Sequence, residues 1–199
     1  NEIEAVNTGQ EPSFILSNYP SMTVYSDAGS GQGYSYFRMR GIDQTRLNLT
    51  LDGVPLNEPE DQGVYFSNYP DFFGSINGLQ IQRGVGTTKN GNASFGGSMQ
   101  FQSKELSDSM KTTRGAGYGS FNSYRFFAEH NMGLKKDVGL YMRASHIHSD
   151  GYRRRSANTS NSVFYSTGIV KKKHVLKLTG FAGNQRNQMA WLGVSKADI

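Results

Sequence analysis

Three consecutive arginines at positions 153–155 are a group of side chains with an evident binding chemistry. A planar guanidinium group donates parallel hydrogen bonds to a carboxylate or a phosphate, so adjacent guanidinium groups favour an anionic ligand. The arginines lie within a polar stretch, residues 149–160, which predicts a long exposed loop. We therefore predict ligand-binding roles for Arg153, Arg154 and Arg155.

Two earlier polar stretches, residues 26–36 and 57–69, combine tyrosines with amide side chains. Tyrosine rings can stack on a ligand, and amides can hydrogen-bond to it. The second stretch also carries Glu58, Glu60 and Asp61, which would repel an anion or hold a cation, although a solvated acidic loop is the simpler interpretation. The predicted ligand-binding residues of the two stretches are Tyr34, Asn57, Gln62 and Tyr65.

His146 and His148 are the residues whose spacing could suit a metal ion. They lie two apart on a predicted strand and so face the same side. Such a pair more often sits at an interface or at the base of a loop. The sequence has no cysteine, which excludes thiolate ligands and disulfides. We predict neither a metal site nor a cofactor.

The sequence contains no constellation typical of an enzyme. No Gly-x-Ser-x-Gly motif occurs, and the glycine-rich run at residues 84–97 contains Lys89 without the Gly-Lys-Ser/Thr ending of a nucleotide loop. The net charge of +5 is spread along the chain, so nucleic-acid binding is not predicted. Asn-x-Ser/Thr triplets at Asn48, Asn92 and Asn158 would mark glycosylation only in a eukaryotic secreted protein.

Up to about residue 103, the pattern predicts a small α+β domain. Short helices are expected where Pro12 and Pro70 can start them, and the second would bury Phe72, Phe73 and Ile76. Alternating apolar residues predict strands at residues 36–40, 47–52, 79–83 and 99–102. Together these elements indicate a small mixed sheet with two short helices.

From about residue 112, the chain consists of repeated alternating segments of about ten residues. The segments are residues 124–129, 138–145, 163–169 and 176–182. A membrane barrel requires such alternation, because lipid cannot satisfy a charge whereas a wet lumen can. A soluble antiparallel sandwich shows the same alternation, so the pattern leaves both open. So few strands cannot close a barrel, whose smallest natural form has about eight, so a fragment is expected.

Four short motifs occur in order before residue 100. They are Met39-Arg40-Gly41, Leu51-Asp52-Gly53-Val54-Pro55-Leu56-Asn57, Ile81-Gln82-Arg83-Gly84 and Ser94-Phe95-Gly96-Gly97-Ser98-Met99. The ordered set resembles the plug of TonB-dependent outer-membrane receptors, and in particular ferric-complex receptors of Bacteroidetes type. Val85 replaces the usual proline, and Asn90-Gly91 stands where Tyr-Gly is common, which leaves the conformation of the glycine-rich loop open.

The resemblance implies two domains. Residues 1–106 would form the plug, and residues 107–199 would be the first antiparallel strands of a transmembrane β-barrel that is incomplete in this chain. Arg40 and Arg83 match the two plug arginines that pair with barrel glutamates in this family. The glycines of the run at residues 84–97 would let the backbone approach the barrel wall.

The resemblance also implies a function. The protein would sit in the bacterial outer membrane, in contact with its lipid, and import a ferric complex such as a siderophore with energy from TonB; cobalamin or a glycan are alternative cargoes. The segment that TonB binds is not evident in this chain. A passive pore and a soluble carbohydrate-binding β-sandwich are the competing interpretations.

Overall fold

The computed structural model describes residues 2–28, 30–85 and 95–189. Among these, the elements before residue 104, which we call the plug, are α1 (Glu2–Val6), α2 (Pro12–Leu16), β1 (Met22–Ser26), β2 (Ser35–Met39), β3 (Ile42–Asp43), β4 (Leu47–Leu51), β5 (Val54–Pro55), β6 (Ile76–Arg83) and β7 (Gly97–Ser103). Five longer strands, which we call the wall, follow: β8 (Lys111–Gly119), β9 (Ser123–Asn131), β10 (Val138–Ser149), β11 (Asn158–Lys171) and β12 (His174–Asn187). The predicted domain boundary at residues 106/107 falls between β7 and β8.

The plug contains two small sheets. β1, β2 and β3 form an antiparallel sheet, while β5, β4, β7 and β6 form a mixed sheet in which only the β4–β7 pair is parallel. Leu47 and Leu49 point into the core, and Asn48 and Thr50 lie on the opposite face of β4. The predicted mixed sheet is therefore present, with the alternation that the sequence indicated.

Both predicted helices form, but the second is a short 3₁₀ helix. α2 begins at Pro12, whose missing N–H costs nothing in the first turn. The 3₁₀ helix spans Phe72–Ser75 and follows Asp71, which has a positive φ of 55°. Ile76, predicted to lie in this helix, is the first residue of β6.

Aromatic side chains form the centre of the plug core. The rings of Phe72 and Phe101 lie 5.0 Å apart, those of Phe66 and Phe72 lie 5.4 Å apart, and all three are almost fully buried. Burying each such ring contributes about 1.5–3 kcal/mol to the stability of the plug.

In the described ranges, no helix has the length and apolar character needed to cross a membrane.

The wall is one antiparallel sheet in the order β12-β11-β10-β9-β8. Its two faces differ as predicted. On β10, Tyr141, Arg143 and Ser145 point to the plug and are buried, whereas Val138 and Met142 on the other face are exposed. Away from the loop end, the outward face of β10–β12 is largely apolar while the inward face is polar, which is the arrangement that a barrel in lipid requires.

The connections between the wall strands fall into two groups, one at each end of the strands. Residues 120–122 and 150–157 lie at one end, which we call the loop end, where Asp150 N donates to Phe121 O at 2.9 Å. Residues 132–137 and 172–173 lie at the other end. The long connection is shorter than the predicted 149–160 because β10 extends to Ser149 and β11 starts at Asn158.

Candidate functional site

Both polar stretches of the plug that were predicted to face a ligand lie at the loop end of the wall. A Cβ placed on Gly33 would be 3.2 Å from Nδ2 of Asn187, near the end of β12. In the other stretch, Ser67 O lies 2.6 Å from the side-chain amide of Gln185 near the same end of β12, and the ring of Tyr69 lies 5.6 Å from that of Phe181 in the middle of the strand. The 150–157 connection is at the same end, so the predicted elements share one side of the molecule.

Four tyrosines form a surface that we call the tyrosine platform. The rings of Tyr25 and Tyr36 stack at 4.9 Å, and those of Tyr34 and Tyr65 meet edge to face at 6.4 Å. Tyr25 is 51% exposed and Tyr34 is 37% exposed, so ring surface is accessible. The sequence prediction included Tyr34 and Tyr65 but missed the other two, whose pairing depends on the β1–β2 register.

Two hydroxyl groups of the tyrosine platform, those of Tyr36 and Tyr65, are favoured in their protonated form. The Tyr65 hydroxyl donates to the Asp61 carboxylate, and this hydrogen bond, with burial second, raises the pKa of Tyr65 to about 12. Burial and the nearby Asp27 likewise raise the pKa of Tyr36. The tyrosine platform therefore offers ring faces and hydroxyl groups to a ligand rather than phenolate oxygens.

The side chain of Asn57 holds the second stretch onto β4. Its Oδ1 accepts from Leu49 N at 2.9 Å, and its Nδ2 donates to Leu47 O at 2.9 Å and to Gln62 O at 2.8 Å. A ligand would have to displace these bonds to reach Asn57. The side chain of Gln62 donates to Pro59 O at 3.3 Å and is exposed, and its ligand role stays a prediction.

The three arginines of the long connection are exposed at the loop end. A tight turn presents them: the Ser156 hydroxyl donates to Arg153 O at 2.6 Å, and Arg155 has a positive φ of 59°. They lie at the same end as the tyrosine platform, and their role in binding an anion stays a prediction.

Arg40 and Arg83 lie on neighbouring turns of the plug surface. Arg40 follows β2 with a positive φ of 53°, and its Nη1 would be 4.0 Å from a Cβ on Gly84. Both side chains are exposed, and neither forms an ion pair within the described residues. Their predicted pairing with barrel glutamates stays a prediction. Lys89, Gly86 and Gly91 of the glycine-rich run lie outside the described residues.

A buried charge cluster joins the plug to the wall, and the sequence analysis missed it. Oδ1 of Asp71 accepts from Nη2 of Arg125 at 2.7 Å, and its Oδ2 lies 2.7 Å from Nη1 of Arg143. The second contact is an ion pair without hydrogen-bond geometry. Arg143 also lies 3.9 Å from Glu129, which accepts from the Tyr141 hydroxyl at 2.8 Å.

Local geometry explains why these residues can meet. Asp71 is positioned by its left-handed backbone conformation before the 3₁₀ helix. The Arg143 guanidinium occupies the space where a Cβ on Gly74 would lie, so only glycine fits there. Phe127 lies 5.0 Å from both guanidinium groups and adds a cation–π contact. Arg125 also donates to Asn7 O at 2.8 Å, which ties the chain after α1 to the wall.

A second ionic contact lies toward the opposite end of the wall. Nζ of Lys177 donates to Oδ2 of Asp52 at 3.1 Å and to the Ser103 hydroxyl at 2.7 Å. Burial of Asp52 opposes ionisation, but its hydrogen bonds from Ser103 and the charge of Lys177 outweigh this and hold the pKa of Asp52 below its usual value. The contact links the turn after β4 to β12.

Glu11 is a buried carboxyl group between plug and wall. Its Oε1 accepts from Gly33 N at 3.2 Å and lies 3.4 Å from the side-chain amide of Gln185 on β12. The orientation that satisfies both ends of this amide directs its nitrogen to Ser67 O and its oxygen to the plug. Burial raises the pKa of Glu11 to about 8, so the carboxyl group is largely neutral at pH 7.

A cavity of about 520 Å³ lies between plug and wall at the loop end. Amides, hydroxyls and rings line it, among them Asn7, Gln10, Gln32, Tyr118 and Phe127. These groups suit a polar solute that accepts and donates hydrogen bonds. The sequence analysis did not single out this cavity, because its lining comes from segments more than 100 residues apart.

The histidine pair lies on the outward face of the wall. Nδ1 of His146 lies 2.7 Å from the Asn161 side chain, and Nδ1 of His148 lies 2.8 Å from the Thr159 hydroxyl. In the described part of the chain, no group of three or more histidines or carboxylates is arranged to hold a metal. Glu58 and Glu60 lie on the exposed surface of the second plug stretch.

Both a family model and curated proteins match this chain. Residues 1–98 match the model described as TonB-dependent Receptor Plug Domain. The lactoferrin-binding protein A of Neisseria meningitidis serogroup A is 25% identical over 215 residues, which cover 87% of this chain and 23% of that protein. The chain spans less than a quarter of the length of the curated relatives it matches.

The fold is shared with solved structures, of which two serve as examples. The Copper transporter OprC superposes with a TM-score of 0.74 at 17% identity over 92% of this chain and 30% of that chain. The pyoverdine outer membrane receptor FpvA from Pseudomonas aeruginosa PAO1 gives a TM-score of 0.69 at 16% identity, over 87% of this chain and 24% of that chain. These likenesses confirm the predicted α+β plug followed by antiparallel barrel strands, and the soluble sandwich is thereby set aside.

Proposed function

We propose a function that starts from family membership: residues 1–98 belong to the TonB-dependent receptor plug domain family. Members are transport receptors of the bacterial outer membrane rather than enzymes, and this location was predicted from the motifs. The full-length protein would bind a scarce solute at the loop end and import it with energy from TonB. The Bacteroidetes subtype stays a prediction.

One observation carries the proposal: the plug is attached to the inward face of the wall by charges and hydrogen bonds rather than by a shared apolar core. The Asp71 cluster and the Lys177 contact can separate in water at moderate cost, whereas an apolar interface could not. A plug that only blocked a passive pore would not need breakable contacts. This arrangement fits a partner that displaces the plug, and TonB is the proposed partner.

A ferric complex is the proposed solute. The names of relatives that bind lactoferrin, transferrin and hemoglobin support iron as the cargo. On this chain, the tyrosine platform, the cavity of about 520 Å³ and residues 153–155 surround the loop end. The raised pKa values of Tyr36 and Tyr65 disfavour phenolate ligands at these two positions, which favours an intact chelate over a bare metal ion.

A neutral or cationic solute is the second candidate, and the charge of the plug surface favours it. Asp27, Glu58, Glu60 and Asp61 lie in the two stretches that form the floor of the loop end. Their carboxylates would repel an anionic chelate unless the arginines at 153–155 compensate. Cobalamin or a glycan would avoid this repulsion.

Direct binding to the full-length receptor tests the proposal. Replacing Arg153, Arg154 and Arg155 with Gln should weaken binding of an anionic ferric chelate, and added salt should weaken wild-type binding in the same way. The matched control replaces Lys171, Lys172 and Lys173, an equal positive charge at the far end of the wall. Salt-insensitive binding of a neutral ligand would show that the solute is the second candidate and not an anionic ferric chelate. Absence of any TonB-dependent uptake would contradict the import function itself.

A further inference from the structure

Two rows of side chains, polar at every position except Phe126, cross four strands on the outward face of the wall. In the strand register, Phe126, His146, Asn161 and Asn184 form one row, and Tyr124, His148, Thr159 and Arg186 form the next. We call these eight residues the polar belt. On β10, β11 and β12 the rows farther from the loop end are largely apolar, for example Ala144, Val163 and Ala182, whereas β8 and β9 still carry Arg114 and His130 on this face. On these three strands the outward face thus changes from apolar to polar at one level.

Hydrogen bonds between neighbouring strands hold the polar belt in place. Nδ1 of His146 donates to Oδ1 of Asn161 at 2.7 Å, and Nδ2 of Asn161 donates to Oδ1 of Asn184 at 2.9 Å. These two bonds use Nδ1 of His146 and Oδ1 of Asn184, so Nε2 of His146 and Nδ2 of Asn184 take no part in them. The Tyr124 ring stacks on both imidazoles, 5.7 Å from His146 and 5.0 Å from His148.

The level of the polar belt matches the edge of a membrane. On β12, the outward side chains between His174 and Asn184 are Leu176, Leu178, Gly180 and Ala182. The ten residue steps from His174 to Asn184, at about 3.4 Å per residue and a strand tilt of about 40°, cover about 26 Å along the membrane normal. An outer-membrane barrel carries an apolar band about 25 Å tall. Asn184 therefore lies at the boundary between hydrocarbon and headgroups on the loop-end side.

The charges of the polar belt favour an anionic group. Arg186 and the two imidazoles are its ionisable cationic groups, and neither row contains a carboxylate. Asp150, just beyond the second row, lies 3.2 Å from Nε2 of His148 and so pairs with that imidazole alone. The amide and hydroxyl groups of the polar belt are spread over four strands, about 14 Å from first to last. A single phosphate could contact only some of them, and the others can hydrogen-bond to sugar hydroxyls.

We propose that the polar belt binds the headgroup of a phosphorylated glycolipid in the outer leaflet. Arg186 and His146 would contact phosphate, while Asn184, Asn161 and Tyr124 would contact sugar hydroxyls. The inference rests on the outer-membrane placement of the proposed function but not on import, because lipid binding needs neither a solute nor TonB. The site would fix the depth and rotation of the receptor in the membrane.

Lipid binding to the full-length receptor in detergent tests the proposal. The probes are purified lipopolysaccharide with its phosphates, the same lipid after dephosphorylation, and phosphatidylglycerol, each measured by native mass spectrometry. The phosphorylated glycolipid should bind about tenfold or more tightly than either other probe, as expected for hydrogen bonds to a charged group. H146L/N161L should lose most of this preference.

Two further variants make the test decisive. R186Q keeps the polar belt polar and should reduce binding of the phosphorylated lipid only. T167V removes a hydroxyl from the same face within the apolar band and should change nothing. Equal affinity for all three probes, or wild-type affinity in both H146L/N161L and R186Q, would overturn the proposal and leave the polar belt as a boundary with water. Loss of solute import with lipid binding intact would contradict the proposed function and not this inference.

Discussion

Different interactions stabilise the plug and the wall. The plug buries its own apolar side chains, with the rings of Phe66, Phe72 and Phe101 at its centre. The wall has exposed apolar side chains on one face and buries polar ones, such as Ser145 and Ser162, on the other. Its inward face is covered by the plug, and its outward face needs lipid. From this difference we expect the plug, and not the wall, to fold on its own in water.

The largest expected effect comes from separating the two regions. We predict that residues 1–106 fold alone as a soluble domain with a cooperative thermal transition, because the apolar core lies wholly within them. Residues 107–199 alone should aggregate in water and gain strand structure only in detergent or lipid. Circular dichroism with and without detergent measures both. A non-cooperative plug fragment would contradict this domain boundary.

The next effect tests the charge cluster that joins the regions. Asp71→Asn should destabilise the receptor by about 3–5 kcal/mol, because two buried guanidinium groups would lose their carboxylate. The same change should barely affect the isolated plug, where Arg125 and Arg143 are absent. Protease sensitivity of the plug in the full-length receptor and unfolding of both proteins measure this contrast.

Asp61→Asn is the matched control for this variant, since it removes a carboxylate from an exposed position of the same plug. It should leave protease sensitivity unchanged. If Asp71→Asn behaved like the control, the cluster would be an incidental contact and the plug would be retained by other means.

The sequence predicted the features that depend on neighbouring residues, such as which face of a strand is buried. It did not predict contacts between residues that are far apart in the chain. The alternation of Phe37 with Arg38 predicts the buried face of β2, because strand geometry alone decides it. The face of Arg143 followed from the same rule. Its partner Asp71 did not, since the chain gives no indication of which plug turn faces β10. The left-handed conformation of Asp71 and the need for Gly74 beside it are evident only in three dimensions.

A smaller effect concerns pH and separates the two regions again. The pKa of Glu11 rises from 4.5 to about 8 in the receptor, so its contribution to stability is fully present at low pH and is lost as pH rises through this range. Glu11→Gln should remove that loss, with a slope of at most about 1.4 kcal/mol per pH unit. Thermal unfolding of the full-length receptor at pH 5 and pH 8 measures it.

The isolated plug supplies the comparison for Glu11. Without the wall residue Gln185, the carboxyl group is more exposed, so the fragment should show a weaker pH dependence than the receptor. An equal slope in both would mean that burial within the plug alone shifts the pKa, and the interface would then have no part in it.

The smallest expected effect tests whether the plug surface arginines contact barrel strands beyond those described. Arg83 and Arg40 are exposed here, and their turns are neighbours, so a carboxylate from another strand could reach both. Arg83→Ala and Arg40→Ala should each make the receptor leakier to small solutes, because a carboxylate would lose its partner and the plug would be held less firmly. Arg38→Ala removes the same charge from an exposed position, where the guanidinium lies over the Tyr25 ring instead, and should not increase leakage. Solute flux into liposomes that contain each variant measures the difference. If all three variants leak equally little, then Asp71, Lys177 and their partners suffice to hold the plug, and the two motif arginines act only within their own turns.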